Sequence, residues 1–240
     1  MNIDFSGKVA VVTGGGGGIG GAVCLALARE GARVLVVDLS REQGEETHAL
    51  VRAAGGESQF LAADVSRSDQ VAGYVAQAVC DWGRIDVFMN NAGWQGDVKP
   101  IVDYDDAVFD KVMAINVRGV YLGLKHVLPV MTGQRSGAVV NTASLASYIG
   151  TRNLAPYIAS KHAVMGLTKT AALEVARKGV RVNAVSPGPV DTPMIRDIEA
   201  GQVATGGATN MREQRVAAIP DGRYAEPEEV ANLMMYLASD

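Results

Sequence analysis

Apolar residues fall in short unbroken runs and in longer periodic ones, and the two kinds alternate along the chain. The short runs are Lys8–Thr13, Arg33–Asp38, Gln59–Ala63, Ile85–Asn90, Ala138–Thr142 and Val180–Ser186, rich in Val, Ile, Leu and Ala. A strand with one wet face alternates apolar and polar positions, so continuous runs predict strands buried on both faces. The periodic stretches predict helices over Ile19–Glu30, Glu42–Ala54, Ser68–Trp82, Tyr104–Asn116, Val117–Thr132 and Pro156–Lys178, and a last one over Glu226–Leu237 with Pro227 at its start. Gly31 and Gly55-Gly56 close the first two helices, and Ser66 or Ser68 is expected to cap the third. This alternation predicts an α/β fold: one doubly wound parallel sheet with helices on both faces and right-handed crossovers. Residues 194–218 lack clean periodicity and carry Gly201, Gly206 and Gly207. They are expected to form a mobile insertion, within about 191–220, over the carboxyl ends of the strands. No repeat or linker divides the chain, so residues 1–240 are read as one domain.

Composition narrows the function classes. With 48% hydrophobic and 20% charged residues, the chain is not a disordered one. A formal charge of −4 gives no electrostatic reason to bind nucleic acid or an anionic membrane. No signal-like opening and no uncharged apolar run of membrane length is present, so a soluble, cytoplasmic protein is expected. Cys24 and Cys80 both lie in apolar helical patterns and are expected to be small buried residues. His48, His126 and His162 lack ligand spacing, and no metal is expected. Glycine is the outlier at 28 of 240 residues, against roughly 7% in an average chain.

Five of those glycines are consecutive. Thr13-Gly-Gly-Gly-Gly-Gly-Ile-Gly20 joins the first strand to the first helix. A phosphate at such a turn meets backbone N–H groups and the positive end of the helix, and glycine lets the backbone come close. Gly14, Gly17, Gly18, Ile19 and Gly20 are therefore candidate cofactor contacts. A glycine run alone is a weak signal, but a strand precedes it, a helix follows, and an acid ends the second strand. That acid is Asp38, 20 positions beyond Gly18, where dinucleotide folds place the carboxylate that holds the adenosine ribose. A carboxylate accepts hydrogen bonds from the ribose hydroxyls of NAD and repels the 2′-phosphate of NADP. Leu39 follows instead of Arg, and Gly17 offers no cation, so NAD is the expected cofactor. Arg41 is the nearby positive charge that argues for NADP.

Tyr157 and Lys161 are four apart at the start of the long helix and share a face. Ser144 lies 13 positions before Tyr157, just past the fifth strand, and Asn116 ends an earlier helical stretch. Together with Thr13–Gly20, Asp38, Asp64-Val65, Asn90-Asn-Ala-Gly93, Asn141-Thr-Ala-Ser144, Asn183 and Pro187-Gly-Pro-Val-Asp-Thr192, these residues make nearly the whole chain resemble the short-chain dehydrogenase/reductase family. Each motif is weak alone; in this order and spacing they are specific.

The resemblance implies a single-domain Rossmann-like fold and an NAD-dependent alcohol dehydrogenase or ketone reductase acting on a secondary alcohol or ketone. It implies Tyr157 as general acid/base. A free phenol has a pKa near 10 and needs a cation beside it to act near neutrality. Lys161 would be that cation and would also bond the nicotinamide ribose. Ser144 would hold the substrate oxygen, and Asn116 would position a water linking Lys161 to solvent. Asp64 and Val65 would flank the adenine, with Asn91, Ala92 and Gly93 passing along the cofactor. Pro187, Gly188, Val190 and Thr192 would line the nicotinamide, while Asn90 ties the central strands together. Trp94, Leu145 and Tyr148 face the expected substrate pocket and suggest a mostly apolar alcohol or ketone, with a polar diol or sugar as the alternative. Members of this family continue past Ala238-Ser-Asp240 into a further strand and tail, which this sequence lacks. Ala159, Ala163, Gly166 and Thr170 form a stripe of small residues on the long helix, where family members pair as homodimers or homotetramers. Two alternatives stand beside this reading. A 3-oxoacyl-carrier-protein reductase usually prefers NADPH, which Asp38 disfavours. A non-catalytic dinucleotide-binding regulator typically loses Tyr or Lys, and both are present here.

Overall fold

The computed structural model describes residues 3–240. Six parallel strands form one sheet in the order β3-β2-β1-β4-β5-β6: β1 (Val9–Thr13), β2 (Arg33–Asp38), β3 (Glu57–Ala62), β4 (Val87–Asn90), β5 (Gly137–Thr142) and β6 (Val180–Val185). The chain winds outward one way from β1 through β3, then returns and winds the other way from β4. The order reverses between β1 and β4, which pair with Thr13 opposite Asn90. A crevice opens beyond the strand ends at such a switch point.

The continuous apolar runs do bury both faces. Ala10, Val12, Val34, Val36, Met89 and Val140 point to one side, where they meet α1 (Gly18–Arg29), α2 (Arg41–Ala53) and α9 (Pro227–Ala238). Val11, Leu35, Val37, Phe88 and Val139 point to the other, against α3 (Ser68–Trp82), α5 (Gly119–Gln134) and α6 (Ala155–Val175). Successive strand residues thus feed two separate cores, as a period of two requires.

Several local expectations differ from the structure. The third helix is capped neither by Ser66 nor by Ser68: Arg67 stands at its N-cap and Ser68 is already helical. Ser66 instead donates from its backbone and hydroxyl to the Asp64 carboxylate. Tyr104 lies outside α4 (Asp106–Met113), which Asp105 caps by accepting from the Ala107 and Val108 N–H groups. The two helices expected on either side of Asn116 are one continuous rod, because a π-helical turn over Ala114–Arg118 joins α4 to α5 without a break. The residues expected as an irregular loop fold into α7 (Pro193–Ala204) and α8 (Met211–Ala218); α7 fully buries only Ile198 and Gln202 and α8 no residue, so no apolar stripe marks them in the sequence. Cys24 is buried as expected, whereas Cys80 is on the exposed face of α3. Among the described residues no helix is long and apolar enough to cross a membrane.

Candidate active site

The glycine turn is shaped from two sides. Gly14 has φ +63°, a left-handed conformation, and a Cβ there would sit 2.8 Å from the Cα of Ala92. A Cβ on Gly20 would collide with the Gly14 carbonyl oxygen, so the first turn of α1 can close only on glycine. Gly17 stands at the helix N-cap with open space around it, and Gly18 faces the Thr192 side chain. Ile19 packs against the core behind. The turn therefore presents the start of a helix to the crevice, a ready site for a phosphate.

Asp38 ends β2 beside this turn. One carboxylate oxygen accepts from the Gly16 N–H at 2.8 Å and the other from the Ser40 N–H at 2.9 Å. Each oxygen keeps lone-pair capacity for a ribose hydroxyl. Leu39 is 69% exposed and carries no charge. Arg41 points elsewhere: it pairs with Glu45 at 3.0 Å and lies over the Phe60 ring.

Across the switch point, Thr13 organises the Asn90-Asn-Ala-Gly93 segment. Its hydroxyl accepts from the N–H groups of Asn91 and Ala92. The Asn91 side chain returns the contact by donating to the carbonyls of Thr13 and Gly14, and its side-chain oxygen accepts from the Thr142 hydroxyl. Asn90 donates to the Val120 carbonyl and to the Asn141 side chain, tying β4 to β5 and α5. Asp64 and Val65 follow β3; Val65 is buried where Gly119 leaves room for it.

Ser144, Tyr157 and Lys161 meet at the carboxyl end of β5. Lys161 is 5% exposed, donates to the Thr142 carbonyl at 2.7 Å, and lies 5.6 Å from the centre of the Tyr157 ring. Burial lowers its pKa from the ordinary 10.5 to about 8. Burial also raises the Tyr157 phenol, and a hydrogen bond with Ser144 pulls it partly back. The lowering expected from Lys161 is therefore not found in the protein alone, where desolvation of the phenol dominates. Ser144 also accepts from the Ala146 N–H.

Asn116 does something the sequence did not suggest. Its side-chain oxygen accepts from the Trp94 N–H at 2.8 Å, and its amide donates to the Trp94 carbonyl at 2.8 Å. The second amide proton goes to the Ser160 hydroxyl at 2.9 Å, which itself donates to the Tyr157 carbonyl. Both donors of the side chain are thus used within the protein. The π turn aims Asn116 inward. It clamps the loop after β4 against the helix that carries Tyr157, and Gly93 lies between it and Lys161. Thr13 and Thr142 lie inside motifs that the sequence shows, and Ser160 lies between Tyr157 and Lys161, but their supporting bonds depend on folded geometry that the motifs do not carry.

The last strand leads into 187–192. The Pro187 carbonyl accepts from the Leu145 N–H, which places this segment beside Ser144. Gly188 is exposed, and Thr192 reaches Gly18. The Val190 side chain is buried in the core and its backbone bridges to Ala225, which leaves its main chain as the part that could line the nicotinamide. Of the expected substrate contacts, Leu145 and Tyr148 are exposed beside Ser144, whereas the Trp94 ring lies 4.6 Å from the Lys111 ammonium on α4. Gln95, buried, donates to Asp197 and so joins this loop to α7.

This geometry agrees with the comparisons. The family described as enoyl-(acyl carrier protein) reductase matches residues 14–240. Levodione reductase of Leifsonia aquatica is 42% identical over 238 residues, covering 98% of this chain and 89% of that protein. Cyclohexanol dehydrogenase of Acinetobacter sp. is 35% identical over 240 residues, covering 100% and 91%. A solved structure of NAD+-bound xylitol dehydrogenase superposes with a TM-score of 0.93 at 38% identity, covering 98% of this chain and 94% of that one. The chain belongs to the short-chain dehydrogenase/reductase family, and it is an oxidoreductase that binds a nicotinamide dinucleotide.

Proposed function

We propose that this enzyme transfers hydride between NAD(H) and a secondary alcohol or ketone on an alicyclic ring, with Tyr157 as general acid/base. The observation that carries the reading is the meeting of Ser144, Tyr157 and Lys161 at the switch point, beneath a glycine turn whose neighbouring carboxylate, Asp38, faces it. When bound, the dinucleotide supplies the hydride acceptor or donor. Ser144 holds the substrate oxygen, and Tyr157 takes the alcohol proton in oxidation and returns it in reduction. Charge that develops on that oxygen is stabilised by the Ser144 hydroxyl. Lys161, fixed by the Thr142 carbonyl, supplies positive charge to the phenol and a donor for the nicotinamide ribose.

Asp38 and the engagement of Arg41 with Glu45 support NAD over NADP. The exposed Leu145 and Tyr148 at the mouth support an apolar substrate, and the names of two relatives point to a cyclohexanol and a dione. Carrier-protein substrates fit less well, because the residues beside the adenosine end, Gly17 and Leu39, carry no positive charge to suit NADPH. We also place a homodimer interface on α6, where Ala159, Gly166 and Thr170 are exposed with Leu173 beyond them. The test is a panel containing cyclohexanol, a linear secondary alcohol, xylitol and a 3-oxoacyl thioester, followed by absorbance of the reduced cofactor. Highest kcat/KM on the ring alcohol with NAD supports the reading, and preference for xylitol or the thioester replaces it.

A further inference from the structure

Pairing of β4 with β5 ends at Asn90 opposite Asn141. The next link between the two strands is made by side chains: the Thr142 hydroxyl donates to the Asn91 side-chain oxygen at 3.0 Å. This bond fixes which way the Asn91 amide faces. A carbonyl oxygen can only accept, so the amide nitrogen is the end that meets Thr13 and Gly14, and it donates to both carbonyls at 3.2 Å. The nitrogen is wedged at the base of the glycine turn. A Cβ on Gly14 would come within 3.1 Å of it, and a Cβ on Gly20 within 2.7 Å. One side chain therefore supports the turn at the two glycines where no larger residue fits.

The main chain of Thr142 serves the other half of the site. Its carbonyl accepts from the Lys161 ammonium at 2.7 Å. The glycine turn and Lys161 are thus joined through Asn91 and a single residue of β5, and Thr142 is only 8% exposed, so water has little access to replace the bond. A valine at this position would keep the shape and the carbonyl. It would leave the Asn91 oxygen facing a methyl group in place of a donor, and an acceptor left without its partner is costly.

We propose that the Thr142 hydroxyl is a positioning residue for the dinucleotide. It acts through Asn91 to hold the glycine turn at a set place relative to Lys161, so that the phosphates and the nicotinamide ribose are seated together. This rests on the dinucleotide-site reading above but not on the ring-alcohol substrate.

The experiment is fluorescence titration of the wild type and folded variants with NADH, well below their unfolding temperatures. Thr142→Val, which keeps the branch and loses the hydroxyl, binds NADH about three- to tenfold more weakly, as loss of one neutral hydrogen bond predicts. Thr142→Ser, which keeps the hydroxyl and loses the methyl, stays within about twofold of the wild type. A merely structural role for the side chain gives the opposite order, because valine fills the site and serine does not. In an Asn91→Ala background Thr142→Val weakens binding no further, since its partner is already gone. Should Thr142→Val fail to fold, Thr142→Ala takes its place and must show the same loss relative to serine. Wild-type affinity in Thr142→Val overturns the proposal, and so does a loss in Thr142→Ser equal to that in valine, or a full further loss in the Asn91→Ala background. Failure of the wild type to bind NADH at all overturns the cofactor reading itself, and this proposal with it.

Discussion

The Lys161 ammonium lies 5.6 Å from the centre of the Tyr157 ring, on the same face of α6 and one turn along, and is anchored there by the Thr142 carbonyl at 2.7 Å. A buried cation and a buried phenol share one site, each made harder to ionise by the lack of water. That pairing fixes how activity and stability depend on pH.

For activity, Tyr157 must be deprotonated to accept the alcohol proton. The oxidation rate therefore rises with pH through the phenol's ionisation. Lys161 keeps its own proton only to about pH 8, so its charge can help the phenol only below that pH; the rates of wild type and Lys161→Met should differ most below about pH 8 and less above it. A profile of kcat/KM against pH for the two proteins checks this. A rate ratio that does not change with pH would mean that the Lys161 charge does not tune the phenol.

For stability, the sign comes from Lys161. Its folded pKa is about 8 and its ordinary value is 10.5. Between these values the unfolded chain binds more protons, so the protein gains stability as pH rises from about 8 toward 10.5, and the full cost is present below about 8. That cost is on the order of 3 kcal/mol. Lys161→Met relieves it at pH 7 but gives up the charge-assisted bond to Thr142, worth about 1.5–3 kcal/mol. Net stabilisation of the protein without cofactor is therefore small, with Tm higher by at most about 6 °C. A lower Tm in thermal unfolding would contradict this.

Asp38→Ala removes the ribose acceptor together with the partners of the Gly16 and Ser40 N–H groups. NAD binding should weaken by roughly ten- to hundredfold, and discrimination against NADP should relax. Titration with both cofactors measures it. Equal use of the two cofactors by the wild type would remove the role given to Asp38.

Asn116→Ala leaves the Trp94 N–H and carbonyl without their partners. The expected cost is about 1–3 kcal/mol of stability. The loop after β4 should also exchange its amides faster. A variant as stable and as protected as the wild type would show that the clamp is idle.

The exposed stripe on α6, ending in Leu173 at 81% exposure, should make the protein at least dimeric in light scattering. Leu173→Glu should shift it toward monomer if this helix is the interface. A monomeric wild type at micromolar concentration would remove the interface.

Much of this was legible in the sequence because it is written in local chemistry. The apolar runs gave both cores, Asn90 was read as a strand tie before its bonds to Val120 and Asn141 were visible, and the spacing of Tyr157 and Lys161 required a shared helix face. What could not be read depends on partners distant in sequence. Asn116 and Trp94 are joined across 22 positions, by a π turn that carries no local signature. Val190 gave no sign that its backbone would bridge to Ala225, 35 positions on. The helix α8 lacks an apolar stripe because ion pairs to Asp191 and Glu199 hold it, and in α7 the one apolar residue buried is Ile198.

The central claim is that Tyr157 moves the proton while Ser144 and Lys161 support it. Cyclohexanol oxidation with NAD, measured for wild type and Tyr157→Phe beside their NADH affinities, tests it most directly. Phe keeps the ring and loses only the hydroxyl. Turnover should fall by at least the roughly 10²–10⁴-fold that general acid/base catalysis supplies, with NADH affinity retained. A Tyr157→Phe enzyme with near-normal turnover would contradict the account.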